Sequence, residues 1–263
     1  MTRRLKRTKD YELTLQIKND SFISPPREAQ RNWILSRALS EFSSDLTALD
    51  HLAQRFVPGS PEVPMEDRER TPIAQEKIME DWQWPILQRM ADIVTEAHGD
   101  VLEVGYGQGV SARYIQELGV KSHTLIECND SVIEHYDVWR RGLADRDIRM
   151  VHSLWQDAID QLGTYDGVFF HTYPLNLEEL VETVIESTTF AAHFFPTAAS
   201  LLRPGGVFTY MTNEIDSFSR EHQRLLLQEF RSVTLSLVKD VPVPDNVKDS
   251  WWSDSMVVVR AEK

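Results

Sequence analysis

The chain has 263 residues, enough for one large α/β domain or for a domain with a smaller attachment. Its 41 acidic residues outnumber 28 basic ones, giving a formal net charge of −13 and a pI near 5.1. That balance argues against a broad nucleic-acid or anionic membrane surface, which needs a field of Lys and Arg, and the single cysteine, Cys128, excludes an internal disulfide.

Met1 to Asp10 is basic (Arg3, Arg4, Lys6, Arg7, Lys9) and is read as a solvated tail, because no apolar run of signal-peptide length follows it. No later stretch is long and apolar enough for a membrane-spanning helix. An intracellular, cytoplasmic protein is the expectation. Tyr11 to Lys18 alternates Tyr11, Leu13, Leu15 and Ile17 with polar neighbours, the period of a half-buried strand. It could be an edge strand or an arm through which two copies pair as a homodimer. Ser24, followed by Pro25 and Pro26, can cap a helix carrying Ile34, Leu35, Ala38, Leu39 and Phe42, and a second helix sets Leu46, Leu49, Leu52, Ala53 and Phe56 at helical spacing. Pro58 to Pro72 has the composition of an extended linker. Residues 1–72 are therefore expected to form an arm, a mostly helical cap and a linker, and residues 73–263 the main domain.

From Ile73 a helix can run to about Ala97, with Pro85 marking a kink or boundary. Short apolar strands then alternate with helical stretches: "DVLEVG", "SHTLIEC", "IRMVHS", "GVFFH", "GVFTYMT", "VTLSLV" and "SMVVVRA". Near-continuous Val, Ile, Leu and Phe in the first five predicts strands covered on both faces. The expected fold is α/β, a doubly wound Rossmann-like mixed sheet of about seven strands.

"VLEVGYGQG" places Glu103, Gly105, Gly107 and Gly109 where the first of these strands meets a helix beginning near Val110. Glycine there lets the backbone turn sharply and approach a ligand. The dinucleotide pattern G-x-G-x-x-G, counted from Gly105, requires glycine where Val110 stands, which weakens an NAD reading. Glu127 closes the next strand in "TLIECND", and its two oxygens can accept both hydroxyls of a ribose. "LLRPGG" then turns a helix into the fifth strand. This combination resembles the class I S-adenosylmethionine-dependent methyltransferases. More narrowly, "MEDWQWPIL", "VLEVGYGQG" with "IECND", "LWQD", and "YDGVFFHTYPL" with "LLRPGGVFTY" are similar to guanidinoacetate N-methyltransferase and the related arginine-methylating domain.

The resemblance implies S-adenosylmethionine as cofactor. It implies that Glu127, Cys128 and Asn129 hold ribose and adenine, that Leu154 and Trp155 cover the adenine, and that Met79 and Leu87 line the pocket with Glu103, Gly105, Tyr106, Gly107 and Gly109. It also implies an aspartate where this chain has His171 and a glutamate where it has Gln83. Those carboxylates grip a guanidinium in the family, so guanidinoacetate is expected to be a poor substrate here.

His171, at the end of an apolar strand beside the cofactor, is expected to accept the proton of the methyl acceptor, with Tyr173 and Gln83 fixing that acceptor. The alternative is that His171 only caps its strand. Trp84, Asn213, Glu214, Trp251 and Trp252 are further substrate-binding candidates, with Glu214 able to attract an ammonium group and the tryptophans able to hold an apolar or cationic body. No metal-ligand spacing links His123, His135, His152 or His193 to other ligands, so no metal is expected, and G-x-S-x-G is absent. The expectation is a small-molecule methyltransferase, N-methylation favoured, in specialised (natural-product) metabolism, the cap closing over its site. The alternatives are an O-methyltransferase, a peptide methyltransferase, or a non-catalytic scaffold that retains the fold.

Overall fold

The computed structural model describes residues 2–6, 12–18, 21–23, 81–175, 179, 183, 187–215, 217–244 and 254–263. The expected cap helices, the linker and the helical stretch before Asp81 lie outside the described residues. Near the start, β1 (Thr2–Lys6), β2 (Glu12–Lys18) and β3 (Ser21–Ile23) form an antiparallel three-stranded sheet, Leu5 opposite Leu13 and Ile17 opposite Phe22. The strand expected at Tyr11 to Lys18 is present. The basic segment before it is not a solvated tail over Thr2–Lys6, because backbone pairing to β2 tolerates charged side chains that composition alone reads as loop.

The seven-stranded sheet contains β4 (Asp100–Val104), β5 (Ser122–Glu127), β6 (Ile148–His152), β7 (Tyr165–Phe170), β8 (Leu202–Thr212), β9 (Ser232–Val238) and β10 (Met256–Glu262), in the order β6-β5-β4-β7-β8-β10-β9. The pairs β6–β5, β5–β4, β4–β7 and β7–β8 are parallel, whereas β10 runs antiparallel to both β8 and β9. This is the expected mixed, doubly wound sheet. The order reverses between β4 and β7, and such a switch point opens a crevice at the carboxyl ends of the strands.

The helices are α1 (Trp84–Val94), α2 (Val110–Leu118), α3 (Asp130–Arg140), α4 (Trp155–Ala158), α5 (Phe195–Leu201) and α6 (Arg220–Glu229). A 3₁₀ turn, Asp81–Gln83, precedes α1, and Pro85 occupies its first turn, where the missing N–H costs nothing. The helix stops at Val94 instead of near Ala97, because Thr95 leaves helical geometry and returns its hydroxyl to the Ala91 carbonyl at 2.8 Å.

Alternation along the strands divides the core. Val101, Phe169, Val207 and Met211 meet Ile86, Leu87, Met90 and Ile93 of α1 on one face. Leu102, Val104, Val168, Phe170, Phe208 and Tyr210 meet Phe195 and Ala198 of α5 and Leu226 of α6 on the other. Gly167 permits the first contact, since a Cβ there would overlap the Val94 carbonyl oxygen. Among the described residues no helix is long and apolar enough to cross a membrane.

Candidate active site

At the carboxyl end of β4 the chain turns through Gly105, Gly107 and Gly109, whose φ angles of 91°, 55° and 70° lie where side chains are strained. Gly105 has a second requirement: a Cβ would overlap the carbonyl oxygen of His171, which brings the loop against the end of β7. The His171 N–H in turn donates to the Val104 carbonyl at 3.0 Å. Glu103 lies under this loop and not in the cleft. It is fully buried, accepts from the Ser111 hydroxyl of α2, and has Oε2 2.9 Å from Nε2 of the equally buried His123.

Glu127 joins the glycine loop to the start of α3. Its Oε2 accepts from the Tyr106 and Gly107 N–H groups at 3.1 and 3.3 Å, and its Oε1 from those of Cys128 and Asn129 at 2.8 and 3.0 Å. Asn129 caps α3, its Oδ1 accepting from the Ser131 N–H at 3.0 Å. The Tyr106 ring packs against Tyr136 and Trp139 (centroids 5.5 and 5.8 Å), so it offers its N–H to this seam and its ring to the core.

A small open cleft lies beside Glu127, lined by Gly105, Glu127, Cys128, Leu154, Trp155 and Tyr173. Trp155 is held edge-on to Phe194 at 4.9 Å. Sequence reasoning missed Ser153, Thr172 and Phe190, which also line the cleft. Ser153 stands directly before "LWQD" and was within reach, but Phe190 arrives from a distant segment and carries no local signal.

His171 is partly exposed by area, yet protein surrounds its ring, and this desolvation pushes its pKa down to about 4. The expectation of an imidazole titrating near neutrality is therefore corrected: His171 is neutral at pH 7. Tyr173 Oη lies 3.3 Å from its Nε2. Gln83 is 1 % exposed, and neither its amide oxygen nor its nitrogen has a hydrogen-bond partner among the described residues. Beside it Trp84 stays exposed, with the Arg113 guanidinium 5.9 Å from its ring centroid. Leu87 packs in the α1 core. Met79, Trp251 and Trp252 lie outside the described residues. Asn213 is half-buried after β8, its carbonyl accepting from the Ile215 N–H at 2.9 Å. Glu214 is not the loosely solvated carboxylate that its loop position suggests: its Oε2 accepts from the Ser219 N–H at 3.1 Å and lies 2.9 Å from His222 Nδ1.

Comparison with known proteins gives this geometry a family. Residues 65–230, more than half of the chain, match the guanidinoacetate N-methyltransferase family. The chain belongs to that family. It is a class I S-adenosylmethionine-dependent methyltransferase by family and by fold. Among curated proteins it is 30% identical over 144 residues to protein arginine N-methyltransferase 2 of Yarrowia lipolytica, covering 51% of this chain and 28% of that protein. It is 24% identical over 156 residues to the protein of the same name from Candida glabrata, covering 55% and 34%. The chain thus spans about a third or less of the length of these relatives. Of solved structures, an O-methyltransferase from Bacillus cereus in complex with S-adenosylhomocysteine is similar with TM-score 0.47 and 16% identity, over 86% of this chain and 96% of that one. A precorrin-6y C5,15-methyltransferase from Geobacter metallireducens has TM-score 0.48 and 13% identity, over 72% and 91%.

The residues present fit the cofactor of this methyltransferase family. The loop at the end of β4 turns through three positive-φ glycines, a carboxylate lines the cleft at the end of β5, and Trp155, Leu154 and Phe190 supply apolar walls.

Proposed function

We propose that the protein methylates a small molecule on a nitrogen that is itself uncharged when it reacts, and that guanidinoacetate is not that molecule. The observation that carries this reading is the electrical neutrality of His171 and Gln83, an imidazole held unprotonated and a buried amide with both atoms unpartnered, at the two positions where the family resemblance implies carboxylates. A guanidinium there would lose two charge-assisted acceptors, each worth about 1.5–3 kcal/mol. A neutral amine loses nothing.

In this reading Glu127 and the glycine loop hold the ribose, and Leu154, Trp155 and Phe190 enclose the adenine. S-adenosylmethionine, when bound, supplies an electrophilic methyl group on a sulfonium. The acceptor N–H displaces the Tyr173 hydroxyl from His171 Nε2 and donates to that nitrogen, which turns the acceptor's lone pair toward the methyl group. The Gln83 amide, which can both donate and accept, fixes the rest of the acceptor. Most of the acceleration comes from this placement, because the reaction is an in-line displacement. A hydroxyl acceptor would need a stronger base than an imidazole of pKa about 4, which favours N- over O-methylation. Redirected specificity of this kind suits specialised metabolism.

The test is mass-spectrometric: purified protein, S-adenosylmethionine carrying a trideuterated methyl group, and a cell extract spiked with guanidinoacetate and arginine. The expected outcome is label on an amine other than these two. Label on either guanidino compound would show that His171 and Gln83 do not exclude the family substrate.

A further inference from the structure

Beyond β8 the chain reads Asn213, Glu214, Ile215, and then Phe218 and Ser219 lead into α6, whose first turn carries His222. His222 is fully buried and hydrogen-bonded at both ring nitrogens, to the Tyr210 hydroxyl through Nε2 and to Glu214 Oε2 through Nδ1 at 2.9 Å. An ionised Glu214 Oε2 can only accept, so Nδ1 carries the imidazole proton, and the neutral ring then takes the hydroxyl of Tyr210, itself 1 % exposed and held protonated by burial, as a donor at Nε2. The ring cannot swing away, because Phe218 stacks on it at 4.0 Å and Phe195 lies nearly parallel at 5.9 Å. The Ser219 N–H adds a second donor to the same carboxylate oxygen.

The other oxygen, Oε1, takes no hydrogen bond from a described residue, on a side chain 15% exposed. Filling the space between β8 and α6 would need only apolar side chains. Three polar groups in series instead deliver one fixed, half-committed carboxylate to the carboxyl edge of the sheet. The β7–β8 register runs to Phe169 opposite Thr209; carried forward two residues it would set His171 level with Met211, and Glu214 follows three residues later, just beyond the end of β8. Glu214 therefore leaves the same carboxyl edge of the sheet as His171, on the neighbouring strand.

We propose that Tyr210 and His222 are positioning residues that hold Glu214 as the anchor for an ammonium group of the acceptor molecule, at a point on it away from the nitrogen that is methylated. The negative charge selects a cation. The single available oxygen selects a compact ammonium over a guanidinium, whose planar fork needs both carboxylate oxygens to bind in its bidentate form. The proposal rests on reading this rim as the acceptor side.

The test uses the full chain with ¹⁵N-labelled histidine, loaded with S-adenosylhomocysteine, and titrates butylammonium and its uncharged counterpart 1-butanol while the His222 ring resonances are followed by NMR. Butylammonium is expected to shift the Nδ1–H signal and to bind at least tenfold more tightly than 1-butanol. Glu214→Gln should abolish that preference while S-adenosylhomocysteine affinity changes less than twofold. Tyr210→Phe should free the ring to populate the Nε2–H tautomer and weaken butylammonium several-fold, with cofactor affinity again retained, a split that general loosening of the core would not produce. Equal effects of the two probes, no effect of either, or a preference that survives Glu214→Gln would overturn the anchor. Failure to bind S-adenosylhomocysteine would instead strike at the cofactor site on which it rests.

Discussion

The side chain proposed to orient the acceptor, His171, differs from its expected behaviour for a reason no sequence displays. Burial is set by what folds around a residue, and here it takes the imidazole about two and a half units below its ordinary pKa, to about 4. An NMR titration should find its midpoint near pH 4, against the usual range near 6.5. As an orienting acceptor and a weak base, His171 should contribute at the lower end of the ~10² to 10⁴ associated with base catalysis, so His171→Ala is expected to lower kcat about 10²-fold with S-adenosylhomocysteine affinity little changed. Glu127 is the opposite case. Its place at the end of an apolar strand was legible at once, but its four backbone donors were not, since they join two loops through one carboxylate. Glu127→Ala should weaken S-adenosylhomocysteine binding at least tenfold by calorimetry and also loosen the glycine loop. The Glu214–His222 pair was invisible in the same way, because its partners sit on opposite sides of a loop-to-helix boundary and neither forms a known spacing.

Among the elements, the sheet was the most legible part of the molecule. Strands buried on both faces are written as runs of Val, Ile, Leu and Phe; all seven segments read as strands are strands, but of the five expected to be covered on both faces β6, at the sheet edge, leaves Arg149 and His152 exposed. Helix ends were less legible, as at Val94, where a threonine hydroxyl decides the stop. The first strand, Thr2–Lys6, was hidden by its charges. Close packing of elements leaves one sharp mark, the glycine at position 167, where α1 meets β7 with no room for a methyl group. Gly167→Ala must push backbone against backbone, so it is expected to destabilise by at least the 1–3 kcal/mol typical of overpacking, read from the urea midpoint.

At the scale of the whole molecule, buried neutral histidines link stability to acidity. His171 and His193 both have pKa values lowered by desolvation. The unfolded chain takes up protons on them near pH 6.5, whereas the folded chain resists until lower pH, near 4 for His171. Their contribution is thus complete above about pH 6.5 and is lost as pH falls toward 4. The thermal midpoint should decline through that window, and replacing His193 by a neutral residue of similar size should flatten the decline. Turnover also has a molecular consequence, through the four amides gathered on Glu127. A carboxylate offers about four acceptor positions, and all four are taken. With Glu127 holding the ribose as proposed, the diol would enter by displacing some of those amides, the two longer bonds to the glycine loop giving way first, and the same amides would return as the nucleoside leaves, so that cofactor exchange passes through no bare carboxylate.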